Sequence, residues 1–153
     1  MTLKSGDPIP KLSLKDKEGK FFKLTNLIGK AAVIYFYPKN FTPGCTTEAC
    51  EFRDKYEDFK DLGAEVIGIS ADTEASHRKF VQQYNLPFIF LSDPEKEARK
   101  AFGVKSSLLG IIPGRETFVF DKKGILRMRY NSLNAAHHTT KAMEALKEME
   151  NEG

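Results

Sequence analysis

Ala31-Ala32-Val33-Ile34-Tyr35-Phe36-Tyr37-Pro38-Lys39-Asn40-Phe41-Thr42-Pro43-Gly44-Cys45 reads as a buried strand, a short loop and the first turn of a helix. Residues 31–37 form a continuous apolar and aromatic run rich in β-formers, the pattern of a strand covered on both faces. Pro38 ends it. Thr42 is a good N-cap, with a hydroxyl able to accept a bond from an orphan backbone N–H, and Pro43 suits the first helical position, where no N–H is needed. Cys45 then falls at the third helical position, where free N–H groups and the positive end of the helix dipole favour a thiolate over a thiol. An unpaired cysteine is also a common apolar filler, so the thiol's surroundings must separate the two roles.

Past the cap, Cys45, Ala49, Phe52, Tyr56 and Phe59 recur at spacings of four, three, four and three, one buried stripe of a helix. The helix is expected to run to about Leu62 and to end at Gly63, a suitable left-handed residue. Cys50, the second of the chain's two cysteines, lies five residues beyond Cys45. Helix geometry puts the two about 8.6 Å apart between Cα atoms and roughly 140° apart around the axis. An unstrained disulfide needs less than about 7 Å. If these thiols pair, the first turns must unwind.

The elements on either side extend the pattern. Residues 11–24 suggest a hairpin turning at Glu18-Gly19. Glu65–Ser70 is a second buried strand, followed by a helix capped at Asp72 or Thr73, running to about Tyr84 with Phe80 and Val81 inward and closed by Asn85. Residues 88–92 form a third strand, and Asp93-Pro94 starts a short helix to Phe102 that ends at Gly103. An irregular stretch, 104–114, precedes two strands, 116–120 and 125–130, around the turn Asp121–Gly124. Asn134 is expected to cap a last helix with Ala142, Met143, Leu146 and Met149 inward. Strand–helix alternation followed by a hairpin and a helix implies an α/β fold: a mixed central sheet flanked by helices, with an N-terminal hairpin. Ligands of open α/β sheets bind beyond the carboxyl ends of the strands, which is where Cys45 falls.

A chain of 153 residues, 41% hydrophobic and 11% aromatic, suits a single domain spanning 1–153. Its net charge of +3 is spread among mixed charges, so neither a nucleic-acid partner nor a membrane is expected. The N-terminus has no apolar stretch resembling a signal sequence and no window approaches spanning length, which sets the expectation of a cytoplasmic protein. In a reducing compartment a close cysteine pair points to catalysis, redox sensing or metal binding. Metal is the weakest of these, because His77, His137 and His138 lie far from the cysteines in sequence; no metal or other cofactor is expected.

A helix-terminal thiolate can attack carbonyls, disulfides or peroxides. Hydrolytic Cys–His chemistry would need a distant histidine brought to the site, and all three are expected on the surface. Redox chemistry needs an activated thiolate, donors to stabilise the departing oxygen, and a second thiol to resolve a sulfenic acid. Cys50 can be that thiol.

Residues 38–45 fit P-x-x-x-T/S-x-x-C, and the longer run FYPKNFTPGCTTEACEFRD resembles the peroxiredoxins of the bacterioferritin-comigratory-protein or PrxQ branch. The similarity continues in the GDPIPKLSL entry, in EVIGIS and in GRETFVFDKKGILR. This resemblance implies a thioredoxin-like fold and a thiol peroxidase for hydrogen peroxide and organic hydroperoxides. Cys45 would be the peroxidatic cysteine and Cys50 the resolving one, with a Cys45–Cys50 disulfide recycled by thioredoxin or a similar dithiol. Thr42 would hydrogen-bond the peroxide, Pro38 would shield the site from water, and Arg115 would hold the thiolate and polarise the peroxide. Glu48 would orient Arg115. A monomer is implied, because resolution needs no second subunit, with a weak dimer as the variation. Two other readings use the same thiols: a disulfide oxidoreductase, which the lack of C-x-x-C opposes, and a non-enzymatic peroxide sensor in which helix unwinding exposes a partner surface.

Overall fold

A computed structural model describes residues 3–106 and 113–152. Seven strands form one mixed sheet in the order β2-β1-β5-β4-β3-β6-β7. The central three, β3 (Ala31–Phe36), β4 (Ala64–Ser70) and β5 (Ile89–Ser92), run parallel. On one side β5 pairs antiparallel with β1 (Ser13–Asp16), which continues into β2 (Phe21–Lys23); on the other, β3 pairs antiparallel with β6 (Glu116–Phe120), which pairs with β7 (Leu126–Asn131). The expected hairpins and the thioredoxin-like arrangement are therefore present.

All six residues of β3 are buried, and their alternation divides the core. Ala31, Val33 and Tyr35 face α1 (Pro43–Asp54), α2 (Tyr56–Asp61), α3 (Glu74–Tyr84) and α5 (His138–Glu152), joining Cys45, Phe52, Phe59, Phe80 and Leu146 in one apolar cluster. Ala32, Ile34 and Phe36 face the other way, toward Ala98 and Phe102 of α4 (Glu97–Phe102) and the N-terminal segment. A period-two strand thus feeds two cores at once.

Three helix boundaries depart from expectation, among them the start of α4, which begins at Glu97 and not at Asp93-Pro94. The helix expected to reach Leu62 breaks at Lys55, whose φ and ψ of −103° and 4° separate α1 from α2. The break lies between side chains tied to different elements: Arg53 donates to the Tyr84 carbonyl (2.8 Å) and the Tyr56 hydroxyl to Glu65 of β4 (2.8 Å). The buried stripe continues across it, because Cys45, Ala49, Phe52, Tyr56 and Phe59 are all inside. Asn134 does not cap α5; its side chain accepts from Ala136 N in a local turn (2.9 Å), and the helix begins at His138. Of the two candidate caps for α3, Thr73 acts, accepting from Ser76 N, and Asn85 closes that helix with φ 52°. Within the irregular stretch, residues 107–112 lie outside the described residues.

Candidate active site

The end of β3 and the start of α1 are joined by residues 37–42, and a buried polar cluster holds this loop in shape. The Tyr37 hydroxyl donates to Asn40 Oδ1 (2.5 Å), and the Asn40 amide donates to His77 Nδ1 (3.0 Å) and Ser76 Oγ (3.1 Å). Asn40 N donates to Asp72 Oδ2 (2.8 Å), which also accepts from Ser70. Asp72 therefore braces the loop instead of capping α3. Phe41 takes a left-handed φ of 69° and packs edge-on against Phe80, which turns the chain into the helix. His77, expected on the surface, is fully buried here, and burial pushes its imidazole down to about 4.

Thr42 stands at the N-cap, but its side chain caps nothing: the hydroxyl donates back to the Lys39 carbonyl (2.7 Å). The expected side-chain cap is thus absent: the hydroxyl closes the 39–42 turn and accepts from no N–H of the first helical turn. Its lone pairs stay available to a donor. Pro38 is half-buried at the mouth of the loop. The first turn of α1 keeps backbone N–H groups that lack intrahelical partners, since the first such bond runs from Thr46 N to Thr42 O.

Cys45 is 1% exposed. Against its sulfur lies Arg115, brought from 70 residues away because β6 is the antiparallel neighbour of β3. The guanidinium makes three directed bonds: Nη2 to Cys45 Sγ (3.3 Å), Nη1 to Glu48 Oε1 (2.5 Å) and Nε to the Leu133 carbonyl (2.9 Å). The solvated strand-edge cation that sequence pattern alone would suggest is instead a buried fork. Burial works against its charge, but Glu48 and Cys45 more than compensate and raise its pKa. Gly44 leaves room for this: a Cβ there would sit 3.2 Å from Arg115 Nη2.

Glu48 is fully buried, and burial lifts its carboxyl to about 8 in spite of the guanidinium bonded to it. Its second oxygen accepts no hydrogen bond and lies 3.7 Å from His138 Nδ1. His138, like His77, is a correction to the expected surface position. Its Nε2 faces the Ser132 carbonyl (2.8 Å) and so carries the proton, leaving Nδ1 to accept from the Thr117 hydroxyl (2.8 Å). Burial pushes the imidazole down to about 4, and nearby Arg115 adds to this. His137 is exposed, as expected. The missed histidines carried a signal: His138 is in helical register with Ala142 and Leu146, as His77 is with Phe80 and Tyr84.

Cys50 is half-buried on the same unbroken helix as Cys45, and both thiols are free. The arrangement is a buried nucleophile at a helix N-terminus, with a forked cation at its sulfur and a second thiol one and a half turns on.

Residues 5–129 match the AhpC/TSA family. The chain belongs to that family, as a peroxiredoxin. Among peroxiredoxin relatives, "Peroxiredoxin Q, chloroplastic" of Populus jackii is 50% identical over 127 residues, covering 83% of this chain and 60% of its own length. The chain thus spans about three fifths of that curated relative. The crystal structure of Peroxidoxin BcpB from Mycobacterium tuberculosis is 34% identical, with a TM-score of 0.87 over 96% of this chain and 98% of that one. A cysteine-to-serine mutant of PrxQ from Xylella fastidiosa is 25% identical, with a TM-score of 0.90 over 98% and 99%. These peroxiredoxins share the fold across nearly the whole length.

Proposed function

We propose that the protein is a thiol-dependent peroxidase that reduces hydrogen peroxide and organic hydroperoxides through Cys45. The observation that carries this reading is the Arg115 guanidinium bonded at once to Cys45 Sγ and Glu48 Oε1. A cation fixed at the sulfur stabilises the thiolate and lies where charge develops on the departing oxygen. The Cys45 thiolate attacks one peroxide oxygen, an S–O bond forms as the O–O bond breaks, and the released alkoxide or hydroxide takes up a proton. Thr42, its own proton committed to Lys39, accepts the hydrogen bond of the peroxide O–H. Pro38 limits water at the loop. Phe41, 45% exposed beside Thr42, and Leu133, 42% exposed where its carbonyl holds Arg115, give the rim an apolar surface suited to an alkyl group.

Resolution is assigned to Cys50. Its thiol condenses with the Cys45 sulfenic acid, the disulfide forms and water leaves. A dithiol such as thioredoxin then supplies two electrons and regenerates both thiols. Within α1 the Cα separation of about 8.6 Å must shrink, so the helix start unwinds in each cycle. Resolution within one chain suits a monomer, and free thiols suit a reducing compartment such as the cytoplasm.

Peroxide consumption with thioredoxin and its reductase tests the reading. Cys45→Ser is expected to abolish consumption, and Cys50→Ser to keep one turnover but lose recycling. Sustained turnover by Cys45→Ser would refute the assignment. A sensor would instead be oxidised once per chain without continuing flux.

A further inference from the structure

Arg99 is the second buried guanidinium near the site, 6% exposed and without a carboxylate partner among the described residues. It comes from α4, on the sheet face opposite Cys45. Asp93 anchors the start of that helix: its oxygens accept from Ala98 N (3.0 Å) and Arg99 N (3.1 Å), while Asp93 N donates to the Ser70 carbonyl at the end of β4 (2.8 Å). The side chain crosses the Phe36 ring, 5.7 Å from its centre. Nη2 then donates to the Tyr37 carbonyl (2.8 Å) and Nη1 to the Gly114 carbonyl (2.9 Å).

Those two carbonyls immediately precede Pro38 and Arg115. They also lie just beyond Phe36–Glu116, the terminal pair of the β3–β6 ladder. Past that pair the strands lose their mutual register bonds, and the guanidinium fork spans them instead. A planar fork with several donors can hold two carbonyls at a set separation, which a single ammonium cannot do. Burying an arginine against neutral carbonyls alone is costly: burial lowers the Arg99 pKa, and Asp93 opposes that shift.

We infer that Arg99 is a positioning residue for the peroxide reaction: it pins the carbonyls of Tyr37 and Gly114 and thereby sets Arg115 and the Pro38 loop at the distance that peroxide attack by Cys45 requires. This rests on the peroxidase reading above. Misplacement of a reacting group by about 1 Å can cost roughly 100-fold, whereas attack on a small alkylating agent needs only an accessible thiolate.

The test compares rapid-mixing rates of Cys45 oxidation by hydrogen peroxide with rates of iodoacetamide alkylation at one pH, in the Cys50→Ser background, for the parent and for Arg99→Lys and Arg99→Met. Both substitutions are expected to slow the peroxide reaction by about tenfold or more while alkylation stays within about threefold of the parent; Lys keeps the charge but is expected not to rescue. Arg99→Lys, which retains the charge and most of the stem, decides the matter if Arg99→Met fails to fold. A folded Arg99→Lys with parental peroxide reactivity overturns the inference, as does an equal loss of both rates, which would mean a general effect on the thiolate. A parent that reacts no faster with peroxide than with iodoacetamide would remove the peroxidase reading itself.

Discussion

At the scale of single residues, one guanidinium organises the site, and each of its bonds can be cut separately. Glu48→Gln keeps an oxygen for Arg115 Nη1, so peroxide consumption should fall by less than about tenfold. Glu48→Ala removes the acceptor and frees the fork to move, with an expected loss of about 100-fold. Comparing the second-order rate constants of these two variants separates orientation from charge. Gly44→Ala places a methyl 3.2 Å from Arg115 Nη2, so the guanidinium must give by a few tenths of an ångström. Its peroxide rate should drop by about tenfold while the melting temperature shifts little, since alanine favours the helix.

The element that matters most is α1, which in the proposed cycle must be ordered for one half-reaction and open for the next. Its first turns, Pro43-Gly44-Cys45-Thr46-Thr47, are rich in residues of modest helix propensity, and no acidic residue stabilises the first turn. The buried Thr46 hydroxyl lacks a partner, a further weakness in the closed form. Thr47 is exposed, and Thr47→Ala should add about 0.5 kcal/mol to helix stability. That predicts disulfide formation slowed about twofold with the sulfenic acid step unchanged, which stopped-flow measurements on both phases would resolve. In hydrogen exchange, oxidation should remove protection over residues 43–52 but leave β3 protected; retention of protection in α1 would contradict resolution by Cys50.

Over the whole molecule, three buried titratable groups shape stability against pH. His77 and His138 are held near 4 in the fold against 6.5 ordinarily. Both add stability that is present above pH 6.5 and lost as pH falls toward 4. Glu48 acts in the opposite sense: raised from 4.5 to about 8, it contributes stability present below 4.5 and lost as pH rises toward 8. With two histidines set against one carboxyl, stability should peak near neutrality and fall on acidification through pH 6.5–4. Urea midpoints across this range check the profile. The double variant His77→Asn, His138→Gln preserves the Nδ1-type acceptor at 77 and the donor to Ser132 at 138, and should flatten the acid limb.

The strand–loop–helix start, the stripe from Cys45 to Phe59, the hairpins and the 45–50 thiol spacing were legible in the sequence because each is a local pattern, set by residues within a turn or two of one another. The same periodicity placed His77 and His138 inward, although their polarity suggested the surface; residue type misled where register did not. Packing alone decided that Thr42 turns its hydroxyl to Lys39, that the helix breaks at Lys55, and that Asn40 locks the loop to α3. Nothing local to Arg115 or Arg99 marks either as buried. Each reaches the end of β3 because β6 lies against β3 and α4 covers the far face, so partners distant along the chain meet there. Charge is tolerated inside a protein only where such partners converge, and that convergence is a property of sheet order, which no window of sequence contains.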